Sequence, residues 1–155
     1  MLKRYVIYIM LIIFTLTIYG QSNLRYEKNN GQWDSAIKYK TSFKQGKVYA
    51  LDNKINIIVF DSNNHYYHPH GDITKTNSRE RYTIFSIQPY NANKCDIVSE
   101  NICQGYSNYF LSKDKSKWKS KVPSYEVITY KNIYDNVDWE ISSQGGFPKH
   151  SYIVH

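Results

Sequence analysis

Lys47-Val48-Tyr49-Ala50-Leu51-Asp52-Asn53-Lys54-Ile55-Asn56-Ile57-Ile58-Val59-Phe60 is the stretch that decides the fold. Two runs of β-branched and aromatic residues flank Asp52-Asn53, whose short polar side chains tolerate the backbone angles of a tight turn. The stretch therefore predicts two antiparallel strands joined as a hairpin. Upstream, Ala36 to Phe43 alternates loosely and ends at the turn-forming Lys44-Gln45-Gly46. Downstream, residues 61–80 are polar and predict a loop, with strands following at Tyr82 to Ile87 and at Ile97-Val98. Val122 to Tyr130 alternates, placing Tyr125, Val127 and Thr129 on one face and Glu126, Ile128 and Tyr130 on the other. Val137 to Ile141 and Ser151 to Val154 complete the set. One helical turn is expected between Ser112 or Asp114 and Lys119. Short strands at about ten-residue spacing predict an all-β, antiparallel, sandwich-like domain.

Composition agrees. The 155 residues include 16 Tyr, 6 Phe and 3 Trp, which suit pleated, half-buried surfaces. With 41% hydrophobic and 21% charged residues the chain can bury a core, so disorder is not its default state. The length allows one domain rather than two.

Residues 1–20 stand apart from that domain. Met1-Leu2-Lys3-Arg4 is a short positive segment, Tyr5 to Ile18 is almost unbroken apolar sequence, and Tyr19-Gly20-Gln21-Ser22 turns small and polar. This is the layout of a secretory signal peptide cleaved after Gly20. The apolar run is shorter than the ~20 residues a spanning helix needs, so no membrane span is expected after cleavage. No cysteine follows it, which removes a lipoprotein route. The expected mature domain is residues 21–155, secreted or at the cell surface, and exported through the periplasm.

The formal net charge is +7, and losing Lys3 and Arg4 lowers it to +5. Lys113, Lys115, Lys117, Lys119 and Lys121 concentrate part of it. Clustered cations suit phosphate binding, but in an exported protein they read as a solvated turn around a buried Trp118, and no nucleic-acid partner is expected. Cys95 and Cys103 are the only cysteines. Export puts them in an oxidising compartment, where a disulfide closing this small loop would stabilise by roughly 2–3 kcal/mol. The pairing requires the chain to turn between Asp96 and Ile102. Two buried free thiols are the alternative.

Two stretches carry a family resemblance. Tyr26-Glu27-Lys28-Asn29-Asn30-Gly31-Gln32-Trp33 resembles the F-x-E-N-x-G-Q opening of a domain of unknown function. That domain begins many large secreted or surface proteins of Bacteroidetes, often ahead of propeller-type repeats and a type IX secretion sorting tail. The second stretch runs through Ser107-Asn108-Tyr109-Phe110-Leu111, Asp114, Trp118, Val122-Pro123-Ser124-Tyr125, Val127, Tyr130, Tyr134, Val137-Asp138 and Tyr152-Ile153-Val154. It is similar to that family's N-Y-F-x-G-x-D-x-x-x-W…V-x-x-Y-x-x-V-x-Y…Y-x-x-I-D core. Lys28 stands at the usual glutamate position, with Glu27 beside it. Ser112 stands at a common glycine, and His150-Ser151-Tyr152 replaces an aromatic-Asp-aromatic step. The resemblance implies structural roles for Asn29, Gly31, Gln32, Asn108, Tyr109, Phe110, Asp114, Trp118 and Asp138. It supplies no catalytic set and no cofactor. It runs to the final residue, where Tyr152-Ile153-Val154-His155 reads as a strand still in progress, so a domain cut short at its C-terminus is expected.

Gly31 suits a backbone angle other residues avoid, and Asn29 and Gln32 suit the bonding of loop backbone groups. Trp33, Trp118 and Trp139 read first as core anchors; exposed, they would form a platform for stacking on a glycan. His65, His68, His70 and Asp72 form the one metal-like set. On an extended segment His68 and His70 share a face roughly 7 Å apart, a separation a zinc ion can bridge. Pro69 confines that segment to an edge or loop, and no HExxH or G-x-S-x-G pattern accompanies it. Three functions follow in order. The first is a noncatalytic exported module with a structural or adhesion role, partnered by the remainder of a larger surface protein. The second is a carbohydrate-binding sandwich that takes glycans, and the third a zinc-dependent hydrolase fragment.

Overall fold

In a computed structural model, residues 23–61, 81–110 and 113–155 are described. The signal-like segment, residues 1–20, and the set His65, His68, His70 and Asp72 lie outside them. The described residues form β1 (Tyr26–Lys28), β2 (Tyr39–Phe43), β3 (Gly46–Ala50), β4 (Ile55–Phe60), β5 (Tyr82–Ile87), β6 (Ile97–Ile102), β7 (Ser107–Tyr109), β8 (Lys119–Val122), β9 (Ser124–Tyr134), β10 (Val137–Gln144) and β11 (Phe147–Val154). The only helical piece among them is a 3-10 turn, Lys115–Lys117. Asp114 caps that turn, accepting the Ser116 N–H at 3.0 Å, as a short carboxylate before a helical turn does.

The strands pair in the order β11-β10-β9-β1-β2-β3-β4-β5, and β6 pairs with β9. All these pairings are antiparallel. The β3–β4 hairpin aligns Ala50 with Ile55 and turns at Asp52-Asn53, closed by the Leu51 N–H donating to Lys54 O at 2.9 Å. Gly46 opens β3 for a steric reason: a Cβ there would lie 1.9 Å from the Ile58 carbonyl oxygen.

The eleven-residue β9 serves both halves of the fold. Its Ser124 and Tyr125 pair with β1, while residues from Ile128 to Tyr134 pair with β10. The β9–β10–β11 arm then returns over β1–β4. The Tyr26 hydroxyl on β1 donates to Ser142 O on β10 at 2.6 Å, and Phe43 on β2 meets Phe147 on β11 with ring centroids 6.3 Å apart. The core lies between: Tyr26, Tyr39, Val48, Ala50 and Ile55 face Ile128, Tyr130, Ile133, Trp139 and Ile141. This is a sandwich-like arrangement made by one antiparallel sheet folding back on itself.

Ile128 and Tyr130 point two residues apart into the core, but the next buried apolar residue is Ile133, three further on. The phase slips because Tyr130 aligns with Trp139 and Tyr134 with Val137, so Lys131, Asn132 and Ile133 all stand opposite Asp138. Asn132 takes a left-handed φ of +51° in that bulge, a conformation Asn adopts more readily than most residues.

Candidate functional site

The opening motif folds into a self-bonded loop. Asn29 Nδ2 donates to Asp34 O at 2.8 Å and Ile37 O at 2.7 Å, and its Oδ1 accepts the Gly31 N–H at 2.9 Å. Gln32 accepts the Asn30 N–H at 2.7 Å and donates to Lys28 O at 2.8 Å. Gly31 has φ +102°, which any side chain would strain. These residues satisfy backbone groups that the loop would otherwise leave unpaired.

Glu27, beside that loop on the solvent side of β1, holds the separate β7–β8 ribbon. One carboxylate oxygen accepts from the Ser107 hydroxyl and the other from the Tyr109 hydroxyl. Burial, together with the Glu27 carboxylate as acceptor and charge, pushes the Tyr109 phenol well above its usual range. Trp33 packs edge-on against Tyr109 at 5.2 Å, and the Lys40 ammonium sits 4.8 Å from the Trp33 ring centroid. Partial burial and the neighbouring Lys47 pull the Lys40 pKa down, against an opposing pull from Glu27. An open cleft of about 580 Å³ borders this junction, lined among others by Arg25, Glu27, Ser42, Tyr106 and Ser107. Arg25 is tied by its guanidinium to Gln104 O at 3.1 Å.

Asp138 forms a second polar centre. Only 2% of the residue is exposed, and it accepts from the Lys131 ammonium and from the Asn132 N–H at 2.8 Å, with His155 Nε2 3.0 Å away. The Lys131 bond, followed by those from Asn132 and His155, holds the carboxyl well below the usual carboxylate range. The β7–β8 ribbon repeats the device with a neutral side chain. Lys121 is bulged at φ +55°, and Asn108 on the facing strand accepts its N–H at 3.0 Å.

The three tryptophans are not brought together. Trp139 is fully buried, with Tyr130 tilted against it at 4.8 Å and Tyr152 stacked on it at 6.2 Å, and its indole N–H has no partner among the described residues. Trp33 is half-buried. Trp118 corrects the expectation of a buried anchor: it is 40% exposed, packing edge-on against Phe110 with Lys115 over its ring. The turn spans only Lys115–Lys117 and buries none of its own residues, so it makes no core around the ring. Four of the neighbouring lysines are exposed as expected of a solvated turn; Lys119 is half-buried and donates to Ser116 O at 3.0 Å.

The expected disulfide is also corrected. Cys95 and Cys103 are free thiols, because β6 runs between them as an extended strand rather than a turn. Six residues in that conformation span about 20 Å, against the ~7 Å limit for bridged Cα atoms. Burial, then the charges of Asp96, Asp138 and Asp52, push the Cys95 thiol pKa up. Among the described residues no group of three or more His, Cys, Asp or Glu could hold a metal ion, and no helix is long and apolar enough to cross a membrane. Sequence reasoning missed the roles of Glu27 and of the two bulges. The signal for the β9 bulge is Asn132 beside an alternating run, an amino acid that accepts left-handed angles; Lys121 carries none.

Comparison with known proteins places a match along nearly the whole described chain. A family described as a domain of unknown function, DUF7948, matches residues 26–155. No curated protein and no solved structure matches.

Proposed function

The chain belongs to the DUF7948 family, and from that premise we propose that it is a noncatalytic exported module of a secreted or cell-surface protein, acting by packing and positioning. One observation carries this reading: the distinctive polar residues of the chain act on the fold itself. Asn29 and Gln32 close a loop, Asn108 and Asp138 each satisfy a bulged N–H, and Glu27 anchors a ribbon. The charged, apolar and small-polar succession of residues 1–22 supports export. The test is surface labelling of the source cells together with mass spectrometry of the protein's N-terminus. A surface-labelled product beginning at Gln21 is expected; a cytosolic product retaining Met1 defeats the proposal.

A second reading, glycan binding, is favoured by the cleft beside Glu27. Its lining combines hydroxyls, an arginine and Tyr106, which is 61% exposed, the mixture that stacks on and hydrogen-bonds a sugar. A glycan array separates the two: binding lost in Tyr106→Ala favours the sugar, and no binding favours the packing module.

A further inference from the structure

β5, β6 and β11 each have one edge to which no strand is bonded among the described residues. Two of these edges carry features that discourage further pairing. β6 has Glu100 and a left-handed Asn101 at φ +57°, while β11 has Pro148, which lacks an N–H, followed by Lys149. β5, Tyr82-Thr83-Ile84-Phe85-Ser86-Ile87, has no charge, no proline and no glycine. Tyr82, Ile84 and Phe85 are 58%, 54% and 54% exposed, so side chains on both faces of the strand are open to solvent. Such an unguarded edge is a template for another strand.

The hydrogen-bond phase of β5 specifies which strand fits. The Asp61 N–H donates to Arg81 O at 3.0 Å, so Arg81 directs its backbone toward β4. The β4–β5 register is unbroken from Ile55↔Ile87 to Phe60↔Tyr82. By the alternation of an antiparallel ladder, Thr83, Phe85 and Ile87 also face β4, and Tyr82, Ile84 and Ser86 turn their N–H and C=O groups outward. A two-fold axis perpendicular to the sheet reverses the strand and keeps each residue on its own face. Centred on Ile84, it sets Ile84 opposite Ile84 of the second copy and Tyr82 opposite Ser86 of the second copy. All three outward residues then bond, giving about six N–H···O bonds. On the other face Thr83 lies opposite Phe85 of the second copy, an aromatic–β-branched pair. No charge meets a like charge anywhere along the strand.

We propose that β5 is a dimerisation edge, joining two copies of this chain through antiparallel β5–β5 pairing about Ile84. Each copy uses its β5 edge once, so the assembly closes at two and does not grow into a filament.

Sedimentation velocity and light scattering on the purified protein, over a range of micromolar concentrations, test this. The expected mass is twice that of the monomer, falling toward monomer on dilution. Ile84→Pro removes an N–H that points away from β4 and so takes no bond from the existing ladder. Ile84→Lys sets two ammonium groups against each other at the axis. Both variants should be monomeric with an unchanged circular dichroism spectrum, and the Ile84 amide should lose its exchange protection when the dimer is diluted. If Ile84→Pro misfolds, Ile84→Lys and the dilution series decide. A wild-type protein that stays monomeric throughout, which would leave the edge to some other protein's strand, overturns the proposal. So does a dimer that survives Ile84→Lys, or an assembly that grows beyond two.

Discussion

Asp138 and Asn132 face each other across a bulge, the Asp138 carboxylate accepting the Asn132 backbone N–H at 2.8 Å. That contact gives the bulged Asn132 N–H an acceptor where β9 takes up extra residues beside a fully buried tryptophan. Asn108 and Lys121 repeat the relationship in the β7–β8 ribbon. Asp138 and Asn108 are thus explained by where the backbone departs from a regular ladder.

The Asp138 carboxyl is depressed by Lys131, Asn132 and His155, so the folded state binds its proton less readily than the unfolded chain. Its contribution is present above the unfolded pKa of about 3.9 and is lost as pH falls below that value toward the folded one. Asp138→Asn should lower the melting temperature at neutral pH and flatten its decline in acid. Thermal melts from neutral to strongly acidic pH check this; parallel curves for the two proteins count against it.

Glu27 joins β1 to the ribbon through Ser107 and Tyr109. Glu27→Ala should cost about 2 kcal/mol, the scale of a hydrogen bond to a charged group. Tyr109→Phe should couple to it by about 1 kcal/mol in a double-mutant cycle. Urea unfolding of the four proteins measures both values, and additive losses would show that the ribbon is held by other contacts.

Cys95 and Cys103 should both titrate as thiols when the protein is denatured without reductant, since β6 holds them apart. Cys95 should alkylate slowly in the folded protein at neutral pH, because burial and nearby carboxylates disfavour its thiolate. Finding no free thiol would restore the bridge and require β6 to be rearranged.

Trp139 and Trp118 should separate sharply under substitution. Trp139→Ala removes a buried ring packed between two tyrosines and should cost about 3–5 kcal/mol. Trp118→Ala removes a partly exposed ring and should cost about 1 kcal/mol or less. Denaturant midpoints read the difference, and equal losses would contradict the burial pattern.

The β3–β4 hairpin was legible from Lys47 to Phe60, because the turn at Asp52-Asn53 and the residues around it are neighbours in the chain. The same holds for the turn capped by Asp114. In the sequence only Ile97-Val98 of β6 carries a strand signal, since Ser99, Glu100 and Asn101 have little strand preference; pairing with β9 extends it to Ile102. That extension is what parted the cysteines. The sequence signals β11 only from Ser151 onward, yet the strand begins at Phe147 and passes through Pro148, as an edge strand can when one of its sides needs no donor. For the site, the loop of Asn29, Gly31 and Gln32 was legible because every bond in it is local.

By itself, the sequence determined the all-β class, the turns and the loop-closing residues, each set by alternation or by side chains bonding within a few positions. Only the tertiary structure decided that Glu27 meets Tyr109 82 residues away and that the Tyr130 hydroxyl reaches Leu51 O across the core at 2.7 Å. It also decided that Trp118 is partly exposed and that β5, which carries no charge, proline or glycine, is an edge of the large sheet among the described residues. The reason is that a strand's backbone donors and acceptors, unlike a helix's, are satisfied by other strands. Which residues are buried, bulged or left open therefore depends on pairings between distant segments.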